Sequence, residues 1–165
     1  MSTATTETGA PVVCPHCGTK NRVPPAAAGV PRCGKCGQPL PWVVDTSDAD
    51  FAAVVDAASI PVLVDVWAPW CGPCRMVSPA LEQLAVELAG KVKLVKVNAD
   101  EAPQVGRRFE IQAIPTLIIL HEGRVLGTQV GAAPTHVLRS WLTQHLRASP
   151  GADSAETDGA PGGAP

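Results

Sequence analysis

The chain has 165 residues, 45% of them hydrophobic, with 13 basic and 15 acidic side chains and a formal net charge of −2. This balance is too small to indicate electrostatic binding to nucleic acid or to a membrane surface, and no apolar run approaches the ~18 residues of a membrane-spanning helix. Residues 1–10 are polar and lack the apolar segment of a signal peptide. We therefore expect a cytoplasmic protein whose six cysteines are metal ligands or redox catalysts.

Two of the three Cys-x-x-Cys pairs lie in residues 11–41, a segment that is rich in Pro and Gly and lacks apolar periodicity. Such a segment cannot build a core of its own and needs disulfides or a bound metal to hold it together. Its four cysteines are Cys14, Cys17, Cys33 and Cys36. The two pairs are separated by residues 18–32, which is the spacing of a two-knuckle zinc site. The pattern predicts one structural Zn²⁺ held by four thiolates, with His16 as a bystander. Two disulfides or two spare redox pairs are the alternative.

From Trp42 onward the sequence alternates between helical and extended patterns. The predicted elements, in chain order, are a helix from Ser47 or Asp48 to Ala58, a strand at 61–67, a helix at 72–88, a strand at 92–98, a helix at 101–108, two strands at 116–120 and 125–130 joined by a hairpin, and a helix from Pro134. Residues 42–146 are thus predicted to form a mixed α/β sheet with helices on its faces. Residues 1–10 and the Pro/Gly/Ala-rich residues 147–165 are predicted to be disordered.

The third pair, Cys71 and Cys74, stands between the predicted strand at 61–67 and the long helix. Unpaired backbone N–H groups and the helix dipole favour an anion at a helix N-terminus, so a Cys71 thiolate is stabilised there. Cys74 lies one turn further on and can attack a mixed disulfide formed by Cys71. A zinc site needs four ligands, and no third pair remains once the N-terminal four cysteines are used. The pattern therefore favours a redox pair over a buried, inert one.

Several motifs in residues 42–146 together resemble those of the thioredoxin family. The run from Asp65 to Cys74 is similar to the active-site signature, Ala113-Ile-Pro-Thr-Leu117 to the loop that contains a cis-proline, and Val130-Gly-Ala132 to the glycine turn facing it. Residues 11–41 resemble the zinc-binding extension of the thioredoxin-2 subfamily. The resemblance implies a thioredoxin fold, with a mixed central sheet flanked by helices, after a small zinc-ribbon-like module. It also implies disulfide reduction, with recycling by thioredoxin reductase and NADPH.

The resemblance assigns catalytic roles to four side chains. Cys71 is the attacking thiol and Cys74 is the resolving thiol. Asp65 matches the family's buried carboxylate, which accepts the proton of Cys74, and Lys96 matches the partner of that carboxylate on the neighbouring strand. Burial should raise the pKa of Asp65. A satisfied structural carboxylate is the alternative for this residue.

The resemblance also implies a shallow substrate groove beside the redox pair. Pro115 would present the backbone of Ile114 for strand-like pairing with a substrate peptide. The other predicted groove residues are Trp70, Gly72, Pro73, Gly131 and Ala132. The expected partners are disulfide-containing proteins and thioredoxin reductase. We expect a monomer without a bound organic cofactor.

Other functions would use the same features. An oxidase or isomerase would share the fold, although the Gly72-Pro73 dipeptide resembles that of the reducing members. A zinc ribbon that binds protein or nucleic acid, with the second domain as a scaffold, belongs to another class. The basic residues of the ribbon have no aromatic residues between them, so nucleic-acid binding is not expected. A third possibility is that oxidation releases zinc and so changes activity.

Overall fold

The computed structural model describes residues 11–27 and 29–147, which form a central mixed sheet and a small N-terminal hairpin. The strands are β1 (Pro11–Val13), β2 (Lys20–Arg22), β3 (Val43–Thr46), β4 (Val62–Trp67), β5 (Lys93–Asn98), β6 (Thr116–His121) and β7 (Arg124–Val130). The helices are α1 (Gly72–Glu87), α2 (Pro103–Arg108) and α3 (Thr135–Arg147), with a π-helical turn at Ala52–Asp56 and a 3₁₀ turn at Ala99–Glu101. None of these helices is long and apolar enough to cross a membrane.

The central sheet has five strands in the order β3-β5-β4-β6-β7. Strands β3 and β4 run parallel to β5, whereas β6 is antiparallel to both β4 and β7. Strands β4 and β6 are buried almost throughout, as their continuous apolar runs predict. The predicted mixed sheet is therefore confirmed, with β4, the strand that leads to the redox pair, at its centre.

The two faces of the sheet carry separate cores. On one face, α1 and α3 cover Leu63, Leu94 and Leu117 with apolar side chains at helical spacing. On the other face, the π-helical turn and α2 pack on the alternate residues of the same strands. Because side chains alternate along a strand, Asp65 lies on the face of α1, next in order after Leu63.

The N-terminal segment, residues 11–41, shares the second core. Strands β1 and β2 form an antiparallel pair, and Arg32 and Pro39 form an isolated bridge. Side chains of this segment, among them Val23 and Leu40, are buried against Val44 of β3. We call residues 11–41 the zinc module. Its packing on the larger domain agrees with the short connection between them, while the exact domain boundaries stay predictions.

The structure corrects the predicted helix at 47–58. The helical element in this stretch is short, a π-helical turn at Ala52–Asp56 that follows Phe51. The Asp48 carboxylate accepts hydrogen bonds from the backbone N–H groups of Gln104 (3.0 Å) and Val105 (2.9 Å). It therefore caps α2 instead of its own segment. This long-range cap has no signal in the local sequence pattern.

Further differences concern the ends of the domain. Strand β3 was not predicted, because it is short and its partner β5 lies far along the chain. In α3 the buried positions include Leu138, Leu142 and Leu146, whereas the neighbouring Val137 is exposed. The predicted disorder of residues 1–10 and 148–165 lies outside the described residues. Arg147 is the last residue of α3, so the predicted start of the tail was wrong at that position.

Candidate active site and metal centre

The redox pair lies at the junction of β4 and α1. Cys71 and Cys74 are joined by a disulfide, and their Cα atoms are 5.3 Å apart. Cys71 is the N-cap residue of α1, and its Sγ accepts a hydrogen bond of 3.2 Å from the backbone N–H of Cys74. Both side chains are nearly buried. The predicted position of Cys71 at the helix N-terminus is thus confirmed. A thiolate there would accept a hydrogen bond from the same N–H group.

The loop before β6 faces the redox pair. The Ile114–Pro115 bond is cis, as the resemblance implied. The carbonyl oxygen of Ile114 lies 3.8 Å from the Cys71 Sγ atom. The backbone N–H of Gly131 donates to the Pro115 carbonyl (2.8 Å), which ties the glycine turn to this loop. Three of the predicted groove residues are therefore brought together, with Ile114 beside Cys71.

Trp70 is the most exposed aromatic residue at the site, with 70% of its surface accessible. Its indole N–H donates to both carboxylate oxygens of Asp100, at 3.1 and 3.3 Å. The backbone N–H of Asp100 in turn donates to the side chain of Asn98 at the end of β5. Sequence reasoning did not single out Asp100. Its only local signal was its place just after β5, whose C-terminal end meets that of β4 at the same edge of the sheet.

Asp65 lies in β4 beneath the redox pair and is 1% exposed. Its side chain borders a cavity of about 470 Å³ that also touches Cys74. Burial raises the pKa of Asp65 to about 6, although Lys96 lowers it in part and Glu82 adds a smaller rise. The Oδ1 atom has no hydrogen-bond partner among the described residues. The predicted rise in pKa is confirmed.

Lys96 lies opposite Asp65 in the parallel register of β4 and β5. Its ammonium group, however, donates to Glu82 Oε1 (2.6 Å) and to Ser78 Oγ (2.8 Å), both on α1. In the described structure it forms no ion pair with Asp65 within 4.0 Å. Lys96 therefore acts on Asp65 electrostatically, without a direct ion pair. The helix position of Glu82 carried no sequence signal for this role.

The loop between β4 and α1 is held by Arg75, whose guanidinium donates to the Pro69 carbonyl (2.7 Å). Trp67 borders the same cavity, and its indole N–H has no partner among the described residues. Gly72 and Pro73, at the first turn of α1, are exposed, as is Ala132 in the glycine turn. These residues form an accessible rim around the nearly buried disulfide.

The four cysteines of the zinc module form a tight cluster. Their Sγ atoms all lie within 4.8 Å of one another, with separations of 3.6 Å for Cys14–Cys36 and 3.5 Å for Cys17–Cys33. A tetrahedral zinc with Zn–S bonds of about 2.3 Å needs S···S distances of about 3.8 Å. All four side chains are free thiols, so the alternative of two disulfides is not seen. His16 is outside the cluster, as predicted.

Both knuckles have the same backbone geometry. Gly18 and Gly37 have φ of +77°, and each donates its N–H to the carbonyl of the first cysteine of its pair, at 2.9 Å. Asn21 in β2 links the two knuckles. Its Nδ2 donates to the Thr19 carbonyl beside the first pair (3.0 Å) and to Cys33 Sγ in the second, and its Oδ1 accepts from the Gly34 N–H. Hydrogen bonds from backbone N–H groups lower the pKa of Cys33. Such a cluster suits a metal that prefers thiolates.

Comparison with known proteins agrees with both parts of the chain. Residues 42–144 match the thioredoxin family, and residues 13–38 match the family described as thioredoxin 2, N-terminal. The chain is 48% identical over 104 residues to a thioredoxin of Haemophilus influenzae (63% of this chain, 97% of that protein). It is 50% identical over 100 residues to thioredoxin 1 of Synechococcus elongatus (61% of this chain, 94% of that protein). The chain therefore belongs to the thioredoxin family and is a thiol–disulfide oxidoreductase whose active site is the Cys71–Cys74 pair.

Proposed function

We propose that the protein reduces disulfides in other proteins and is recycled by a thioredoxin reductase that uses NADPH. The observation that carries this proposal is the position of Cys71. It combines the N-cap of α1, an N–H donor to its sulfur and a neighbouring backbone carbonyl at Ile114. A thiolate stabilised there can attack a disulfide, and the exposed rim can receive an extended peptide.

The proposed reaction has two exchange steps. In the dithiol form, the Cys71 thiolate attacks one sulfur of the substrate disulfide, and the other substrate sulfur leaves as a thiolate. Cys74 then loses its proton and attacks the Cys71 sulfur of the mixed disulfide. The second substrate thiolate leaves, and the Cys71–Cys74 disulfide forms. The substrate gains two electrons, which the reductase later returns to the pair.

Asp65 is the proposed proton acceptor for Cys74. Its pKa of about 6 leaves it mostly ionised near neutral pH, yet basic enough to take a proton. Both residues border the same cavity, so a water molecule can carry the proton between them. Lys96 acts as a positioning charge, because its ammonium stays bound to Glu82 and Ser78.

The groove proposed for the substrate runs along the loop before β6. A peptide backbone would pair with Ile114, beside the cis-Pro115 and the exposed Trp70. Gly72 and Pro73 would border it on one side, and Gly131 and Ala132 on the other. The indole of Trp70 is held for this contact by Asp100.

A pair of cysteine variants tests the reductase proposal. Wild-type protein should reduce insulin disulfides in the presence of NADPH and thioredoxin reductase, and Cys71→Ser should abolish this activity. Cys74→Ser should instead accumulate a mixed disulfide with a substrate protein, since the second step is blocked. No turnover by the wild type, or a mixed disulfide on Cys74 in Cys71→Ser, would contradict the assigned roles.

The redox potential separates a reductase from an oxidase with the same fold. A reductase should have a potential near that of thioredoxin, about −270 mV, and an oxidase one near about −120 mV. Equilibration with a glutathione or dithiothreitol buffer measures the potential directly. A value at the oxidising end would overturn the reductase proposal while leaving the oxidoreductase assignment intact.

We also propose that Cys14, Cys17, Cys33 and Cys36 hold one structural Zn²⁺ and that the protein works in the cytoplasm. A closed set of four thiolates leaves no open position for catalysis, so the ion would serve the stability of the module. The protein as purified should contain one zinc per chain, and chelation should lower the unfolding temperature. A protein that lacks zinc and keeps the same unfolding temperature after chelation would refute the structural role.

A further inference from the structure

The zinc module is attached to the larger domain at the end of the sheet opposite the redox pair. At the start of β5, Lys93 is 1% exposed, and its ammonium donates to the carbonyls of Pro25 (2.5 Å) and Val54 (2.6 Å). It also lies 4.1 Å from the centre of the Trp42 ring, whose N–H donates to the Pro24 carbonyl. The module is thus fixed at a point remote from Cys71.

From that point the module extends around the edge strand β3 towards the active site. Val44 of β3 packs in the core that contains Val23 and Cys14 of the module. The neighbouring Val43 and Asp45 point to the opposite face and border the cavity in front of Asp65. The module therefore contacts β3 on one face and reaches the other face at its first strand.

Strand β1 supplies the module's part of the cavity wall. Pro11 and Val12 border the cavity together with Asp65 and Cys74. Val12 is half-buried and packs against the adjoining core, whereas its neighbour Val13 points outward and is 55% exposed. The module's part of the wall is thus formed by Pro11 and Val12, in a strand that pairs in register with β2 and is followed directly by Cys14 of the four-cysteine cluster.

We propose that β1 of the zinc module is the outer wall of the Asp65 cavity, and that Val12 limits the access of bulk water to this carboxylate. Val12 is then a positioning residue, since it acts on the resolving step through Asp65. The inference deepens the proposed function and rests on it, because Asp65 is the proposed proton acceptor for Cys74. It gives the zinc module a role in proton transfer as well as in stability.

Several charged and titratable groups surround the cavity, so the access of water to it affects the pKa of Asp65. They are Asp45 on β3, Lys96 on β5, and Cys74, Arg75 and Glu82 on α1. Burial is the largest cause of the raised pKa of Asp65, ahead of the opposing effect of Lys96. Water admitted at the mouth would restore hydration of the carboxylate and screen these charges. The predicted direction is therefore a fall in the pKa of Asp65 when the wall is opened.

The test compares Val12→Ala with Val13→Ala in the full-length, zinc-loaded, oxidised protein. In that state Cys74 is in a disulfide and does not titrate, so the carboxyl carbon-13 shift of Asp65 reports its own pKa. Val12→Ala should lower the pKa by about 0.5 or more, because hydration favours the charged form. Val13→Ala, a change of the same size on the outward side of β1, should leave the pKa unchanged.

The zinc content of each variant is measured, and a second variant covers the case in which Val12→Ala loses its zinc. If Val12→Ala loses zinc, Val12→Thr preserves the side-chain volume and the strand while bringing a hydroxyl to the cavity mouth, and it should also lower the pKa. An Asp65 pKa that stays at the wild-type value in the zinc-loaded Val12 variant, or that falls equally in Val13→Ala, would overturn the proposal. Because this readout needs no turnover, the result is independent of the insulin assay, in which failure would count against the reductase instead.

Discussion

At the scale of single residues, the buried carboxylate of Asp65 lowers the stability of the folded protein and also serves as the proposed base. A buried carboxylate without a hydrogen-bond partner for Oδ1 is costly in its charged form. The same burial makes it a better base for the Cys74 proton. The lack of an ion pair with Lys96 leaves this cost in place, since Lys96 is bound to Glu82 and Ser78. Stability and proton transfer are therefore opposed at this position.

Replacing Asp65 by Asn should stabilise the protein at neutral pH and slow its reaction. The pKa of Asp65 is about 6 in the folded protein against 3.8 for the free group. At about 1.36 kcal/mol per unit, this difference is worth about 3 kcal/mol. The folded state binds the proton more tightly, so the wild-type free energy of unfolding falls as the pH rises through the range between these values.

Denaturant unfolding of the oxidised proteins at a series of pH values measures this effect. The stability advantage of Asp65→Asn should grow by about 3 kcal/mol between pH values of about 3 and about 7. The resolution of a mixed disulfide at neutral pH should slow by about 100-fold, because the general base is gone. Parallel stability curves for the two proteins, or an unchanged rate of resolution, would contradict the respective role of Asp65.

At the scale of elements, short segments are held by partners from distant parts of the chain. Helix α2 is short, lacks a side-chain cap from its own N-terminal residue and begins with Pro103. Asp48 provides the missing acceptor to Gln104 and Val105 across the second core. The loop that precedes α2 also carries Asp100, the partner of Trp70. The Asp48 cap therefore fixes a helix whose preceding segment holds Trp70 at the rim of the active site.

Asp48→Ala should destabilise the protein by about 0.5–2 kcal/mol, because two N–H groups of α2 lose their acceptor. The matched control is Asp50→Ala, which removes an exposed carboxylate from the same turn and should cost less than about 0.5 kcal/mol. Unfolding by denaturant compares the two variants. Equal losses of stability in both would show that Asp48 acts only as a surface charge.

At the scale of the whole molecule, the zinc module and the larger domain form one packed body. The contacts that join them include the buried Lys93 ammonium, the Trp42 ring and the close approach of Pro39 to Gly90, where an added Cβ would lie 3.0 Å away. Gly90 has φ of +85°, so the turn before β5 suits glycine on both counts. Burial lowers the pKa of Lys93 to about 8. The carbonyls and the ring offset that desolvation cost.

Lys93→Met should loosen the module without removing the zinc ligands. It leaves the carbonyls of Pro25 and Val54 without their donor, which should cost about 1–3 kcal/mol. Lys91→Met, at an exposed lysine of the preceding turn, is the matched control. Hydrogen exchange of residues 20–41 should quicken in the Lys93 variant alone. If both variants exchange at the wild-type rate, Lys93 does not hold the module.

The chemistry of this protein could be predicted from its sequence, because both sites depend on local spacing. A Cys-x-x-Cys pair at a strand–helix junction and two further pairs, each followed by glycine, specify a redox pair and a metal cluster within a few residues. Short apolar runs identify β4 and β6 for the same reason. Similarity to the family then supplied the cis bond before Pro115 and the buried carboxylate of Asp65.

The tertiary structure decided which distant residues serve these sites. Lys96 binds Glu82 instead of Asp65, Asp48 caps a helix that begins at residue 103, and Val12 borders the cavity of Asp65. None of these contacts follows from periodicity, which reports only the face on which a residue lies. They depend on how the strands are ordered and how the module wraps around β3, and packing of the whole chain alone determines that arrangement.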